Sequence, residues 1–118
     1  MIVFVESACD LTYSVLGQAM GNLAGTYGAL GRHQDALMLK QKTLEFLRRV
    51  LPENHLHIGI SCYNISSSYR QAGDFHRAIE RAREALRIFQ AALPPSHPHV
   101  KAAQELVLEI EGDIARHA

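Results

Sequence analysis

Apolar residues in the chain recur at intervals of three and four. Leu16, Met20, Leu23, Ala24, Tyr27 and Leu30 form one such series, and Ile58, Cys62, Ile65, Tyr69 and Ala72 form another. A 3.6-residue period places each series on one face of a helix, so each predicts a first helix. Gly31 and Gly73 end these helices, because glycine enters the left-handed conformation at a helix C-terminus without a side-chain penalty. A second helix follows each almost at once. Ala36, Leu37, Leu44, Leu47 and Leu51 form its stripe in one segment, and Ala78, Ile79, Ala82, Leu86, Phe89 and Leu93 in the other. Pro52 and Pro94 stop it, since proline lacks the amide hydrogen a helix needs and disfavours the helical conformation in the residue before it. A last helix is predicted from about Pro98 to Arg116, burying Val100, Ala103, Val107, Ile110 and Ile114.

The two segments are copies of one pattern. A shift of forty-two residues lays Gly17 on Gly59, Asn22 on Asn64, Tyr27 on Tyr69, Gly31 on Gly73, Ala36 on Ala78, Leu44 on Leu86, and Leu51-Pro52 on Leu93-Pro94. Leu23 falls on Ile65, Leu37 on Ile79 and Ile58 on Val100. A fixed period of this size is the signature of stacked supersecondary units. The same shift sets "MIVFVESACD" over "TLEFLRRVLP", so the opening segment reads as the end of a preceding second helix. Where the first helices carry Tyr27 and Tyr69, the last helix carries Glu111, which suits a capping helix with one face in water.

Composition narrows the class. A chain of 118 residues is one domain's worth, and 47% apolar residues with a formal net charge of zero is not the profile of a disordered chain. The arginines and lysines cluster in the middle, from Arg32 to Arg87, but acidic residues are interleaved with them. A nucleic-acid partner, which needs a clustered basic excess, is therefore not expected. Cys9 and Cys62 are too few for a disulfide scaffold and show no metal spacing, so free thiols in a reducing compartment are expected. "MIVFV" has neither the basic flank nor the length of a signal peptide or membrane span, and a cytoplasmic protein is the expectation.

Two His-x-His pairs, His55 with His57 and His97 with His99, are also one shift apart. Four imidazoles could bind zinc or copper. However, stacking would separate the pairs by a helix-pair width, roughly 18–20 Å if neighbouring helices pack 8–10 Å apart. The pairs instead read as helix starts, with Asn54 and Ser96 as N-caps and Pro98 in the first turn. No phosphate loop, nucleophile elbow or H-E-x-x-H motif is present. Gly21, Gly25 and Gly28 fall within one helix at a cost of roughly 1 kcal/mol each relative to alanine. They imply either close packing against a neighbouring helix or, at Gly25, room for a ligand backbone.

"NLAGTYGALGRHQDALMLKQKTL" and, more loosely, "NISSSYRQAGDFHRAIERAREAL" resemble the tetratricopeptide repeat, in the forty-two-residue form of kinesin light chains. Ile65-Ser66 replaces the usual Leu-Ala, and Lys40 stands where the family has an aromatic residue. The resemblance implies an all-α fold in one domain, residues 1–118, a right-handed α-α superhelix of helical hairpins. Its parts would be the end of a second helix at 1–10, repeats at 14–51 and 56–93, and a capping helix at 98–116. It also implies a non-catalytic scaffold without cofactors, whose first helices line a concave groove for a peptide or helix of another protein.

If Leu23 and Tyr27 face the core, a neighbouring stripe turns to that groove: Gln18, Gly21, Asn22, Gly25 and Ala29 in one repeat, and Ile60, Tyr63, Asn64, Ser67 and Gln71 in the next, with Arg70 beside it. The paired Asn22 and Asn64 are the sharpest candidates, since a carboxamide both donates and accepts and so can grip a peptide backbone of any sequence. The competing role is a bond from each asparagine to the adjacent helix. Tyr63 would add an amphipathic anchor and Arg70 a carboxylate or phosphate contact. Self-association is the second expectation, because Ile2, Phe4 and Val5 would leave an apolar patch exposed. A metal-binding role through the histidine pairs is the third.

Overall fold

The computed structural model describes residues 15, 16 and 19–118. The expectations placed on Ile2, Phe4, Val5, Cys9, Gly17 and Gln18 lie outside these residues. The described helices are α1 over residues 19–29, α2 (His33–Val50), α3 (Leu56–Gln71), α4 (Phe75–Ala92) and α5 (Pro98–Arg116). The chain divides between Pro52 and Glu53 into two compact units, the first carrying α1 and α2 and the second α3, α4 and α5.

The forty-two-residue period reappears in the backbone itself. The helices α2 and α4 begin and end at equivalent residues, and α3 and α5 begin at equivalent residues. Gly31 (φ 79°) and Gly73 (φ 82°) are left-handed. Around each, two amides close the preceding helix: Arg32 N–H donates to the Tyr27 carbonyl and Gly31 N–H to that of Gly28, as Asp74 does to Tyr69 and Gly73 to Arg70. This is the Schellman arrangement, which satisfies carbonyls a helix end otherwise leaves open and which only glycine reaches at no cost.

Within the second unit, α3 and α5 both lie along α4, and α3 meets α5 over a shorter stretch. Its core is Cys62, Ile65, Ala78, Ala82, Ala85, Ile88, Phe89, Val100, Ala103 and Ile110. The closest approach is at Gly59. A Cβ there would stand 2.8 Å from Phe89 Cε1 and 2.9 Å from Ile88 Cγ2, so the α3–α4 packing requires glycine. Two turns further on, the buried Ser66 hydroxyl donates to the Ala78 carbonyl at 2.7 Å, tying α3 to α4 with a bond that leaves no polar atom orphaned.

The apolar series of the first helices divides on closer view. In α3, Ile58, Cys62, Ile65 and Tyr69 are buried as expected, and Ile65 is 1% exposed. In the first unit Ala24 is buried, but Leu16, Leu23 and Leu30 are exposed, Leu23 at 47%, so Leu23 is not a core residue. Periodicity shows which residues share a helix face, not whether anything covers that face. The three glycines of α1 pack closely against none of the described residues, since nothing among them lies within 4 Å of where a Cβ at Gly21, Gly25 or Gly28 would be.

The face of α5 equivalent to the buried face of α3 is polar and exposed except at Leu108, which is apolar and exposed. The α3 residues Gly59, Cys62, Ser66 and Tyr69, all buried, correspond to Lys101, Gln104, Leu108 and Glu111 of α5, all exposed. Glu111 meets Arg83 of α4 at 3.4 Å. Arg83 thus pairs across helices, from α4 to α5.

Candidate functional site

The histidine pairs are helix caps. His55 precedes α3 and His97 precedes α5, each with extended backbone. Their Nδ1 atoms accept from the amides of His57 and His99 at 3.1 and 3.0 Å. The cap is therefore one residue later than Asn54 and Ser96, which were the expected caps. Asn54 instead takes the left-handed conformation, φ 66°, and its Oδ1 accepts from Arg87 Nη1 at 2.7 Å, fastening the linker to α4. The paired rings pack on each other, with centroids 5.1 and 4.8 Å apart, and His99 also meets Phe89 at 5.3 Å. Among the described residues, no group of three or more His, Cys, Asp or Glu is placed to hold a metal.

A cap of this kind is worth about 1 kcal/mol. His97→Ala should lower stability by that amount in chemical denaturation, and His97→Asp, whose carboxylate can accept from the His99 amide in its place, should restore it. Loss in both variants would assign the cost to ring packing.

The residues expected to line a groove divide between the units. In the first, Asn22 and Gly25 are exposed on α1. In the second, Asn64 and Gln71 are exposed and Tyr63, Ser67 and Arg70 half-buried. Asn64, Ser67 and Gln71 share one stripe of α3 at spacings of three and four. The side chains of Asn22 and Asn64 make no hydrogen bond among the described residues, so the cross-helix bond weighed against a binding role is not formed there. Their backbone carbonyls accept from Thr26 and Ser68.

Arg70 departs from expectation. Its guanidinium is already held by α5: Nε donates to Asp113 Oδ2 and Nη1 to Glu109 Oε2, both at 2.6 Å. Arg116 also pairs with Asp113, through its other oxygen, and His117 Nδ1 lies 2.8 Å from the Asp113 carbonyl. The expected contact with a partner's carboxylate or phosphate is filled from within the chain. Asp113 and Glu109 were missed, although a signal for them exists: the same shift carries Tyr63, Ser67 and Gln71 onto Glu105, Glu109 and Asp113.

The hydrogen bond from Arg70 holds the Asp113 carboxyl below its usual range against the opposing effect of burial, with the charges of Arg70 and Arg116 adding to the shift. The same bond to Asp113 raises Arg70. A carboxyl whose folded value is depressed contributes stability above its unfolded value, about 3.9, and loses it as the pH falls through the folded one. Wild type should therefore exceed Asp113→Asn in urea midpoint at pH 7, with the gap closing towards pH 2. A gap independent of pH would mean the carboxylate charge is not what holds Arg70. In the first unit, burial alone pushes the half-buried Lys40 ammonium below its ordinary value.

With this geometry in hand, comparison places the protein among helical-repeat proteins. A family model described as "Tetratricopeptide repeat" matches residues 15–91, and the chain belongs to that family. Solved structures share its fold: a protein of Podosopora anserina described as having kinesin light chain nearly identical TPR-like repeats, and a single-substitution variant of it. Each superposes with a TM-score of 0.76 at 20% identity over 84% of this chain and 47% of theirs. The chain thus spans about half the length of those structures. No curated protein matches it. No helix among the described residues is long and apolar enough to cross a membrane.

Proposed function

We propose that the chain is a non-catalytic scaffold that takes an extended peptide or a helix of a partner protein along the groove-side stripe of its first helices. Tetratricopeptide repeats mediate protein–protein interaction, and this chain carries the family's pattern over residues 15–91. The observation that carries the finer reading is the pair Asn22 and Asn64. Both occupy the same place in successive repeats, are exposed, and keep their carboxamides free of bonds among the described residues. Side chains that bond to nothing among the described residues, yet recur at the repeat period, suit a partner's backbone. Gly25, Ser67 and Gln71 border them on the same stripes, Tyr63 supplies a half-buried aromatic edge, and Gln18 completes the stripe in sequence.

The test is a binding assay on the intact chain. Asn22→Ala with Asn64→Ala should remove a protein partner that the wild-type chain retains from native lysate, and should lower the affinity of a peptide mapped from that partner at least tenfold. Stability should move by less than about 0.5 kcal/mol, as for surface substitutions generally. A large loss of stability with binding intact would make the pair structural and remove the basis of the proposal.

A further inference from the structure

Arg70 lies beside the binding stripe, and its guanidinium reaches across to α5. There it joins two carboxylates that differ in kind. Asp113 is 6% exposed and takes Nε, whereas the Glu109 side chain is 55% exposed and takes Nη1. A guanidinium is planar and presents its donors in a rigid fork, so holding two of its nitrogens fixes both the position and the plane of the group. The bonds tie the C-terminal turn of α3 to the second half of α5. There the two helices meet over only a short stretch, and α4 otherwise supplies their shared packing. The residues equivalent to Arg70 and Asp113 one repeat earlier are Gly28 and Gln71, neither of which carries a charge. The feature therefore belongs to this junction and not to the repeat in general.

We propose that Arg70, Asp113 and Glu109 form a clamp that fixes the angle between the consecutive first helices α3 and α5, making Arg70 a positioning residue of the binding wall and not a contact residue. The clamp sets how far the α3 stripe of Asn64, Ser67 and Gln71 stands from the equivalent row on α5, which is Leu106, Glu109 and Asp113. It rests on the groove reading for what the wall serves, but its geometry is independent of any partner. A partner would meet a wall already fixed in width at this junction and would lose less conformational freedom on binding there.

Amide residual dipolar couplings of the full chain, measured without any ligand, test the clamp. In the parent protein the couplings of α3, α4 and α5 should fit a single alignment tensor. In Arg70→Met those of α5 should depart from the tensor that fits α3 and α4, and the charge-exchanged double variant, Arg70→Asp with Asp113→Arg, should bring them back towards it. Should Arg70→Met fail to fold, Arg70→Lys, which keeps the charge but not the fork, and Glu109→Gln at the exposed partner serve in its place, each with a smaller departure expected. Couplings of α5 that still fit the parent tensor in whichever of these variants fold would overturn the clamp. Because no partner is used, that result would leave the groove reading standing, and loss of binding in the asparagine variant would leave the clamp standing.

Discussion

Replacing Phe89 with alanine is expected to cost about 3–5 kcal/mol, a large share of the 5–15 kcal/mol that holds a domain of this size together. Phe89 lies in the last turn of α4 at 2% exposure, with its ring against the backbone of α3 at Gly59 on one side and the His99 ring of α5 on another. It is thus a point where the three helices of the second unit meet. Truncation removes the buried ring and leaves a cavity that helices anchored on both sides cannot close, so the transfer and cavity costs add. Urea denaturation followed by circular dichroism would measure the loss. A cost below about 1 kcal/mol would mean that the unit collapses around the gap and that Phe89 is not the keystone its burial indicates.

Gly59→Val should be nearly as damaging, for the opposite reason. Its Cβ would sit 2.8 Å from Phe89 Cε1 and 2.9 Å from Ile88 Cγ2, and those residues are themselves 2% and 1% exposed. Alanine at this place would gain up to about 1 kcal/mol of helix propensity, which overpacking of about 1–3 kcal/mol exceeds. Valine forfeits most of the gain and adds two methyl groups, so a loss of about 3 kcal/mol is expected. Two comparisons isolate the cause. Gly25→Ala, with nothing near its Cβ among the described residues, should be neutral or stabilising by up to about 1 kcal/mol. Gly59→Ala should cost less in a Phe89→Ala background than in the parent, since the cavity accommodates the methyl group. Additive costs would show that the two residues do not share one contact.

The helix limits were legible because their chemistry is local. Left-handed glycine and helix-stopping proline act on their own backbone, so Gly31, Gly73, Pro52 and Pro94 could be read without knowing the packing. The caps were misplaced by one residue because preference favours Asn and Ser over His, whereas Asn54 is used to reverse the chain and the next side chain is left to accept. Leu23 was misread because a shared face is a property of one helix and its covering is a property of several. The role of Arg70 depends on carboxylates 39 and 43 residues away, which local reading cannot connect. Only the repeat shift, applied to the groove stripe itself, could have brought Glu109 and Asp113 into view.

The capping histidines also settle a matter of valence. An imidazole that accepts through Nδ1 in its neutral form carries its hydrogen on Nε2, so in this tautomer the lone pair at Nδ1 is already in use and the other nitrogen is a donor. For either ring to ligate an ion, the proton would have to leave or the ring would have to release the amide of the first helical turn. By the second route ion capture and fraying of α3 or α5 would be one event, observable together as lost amide protection at His57 or His99.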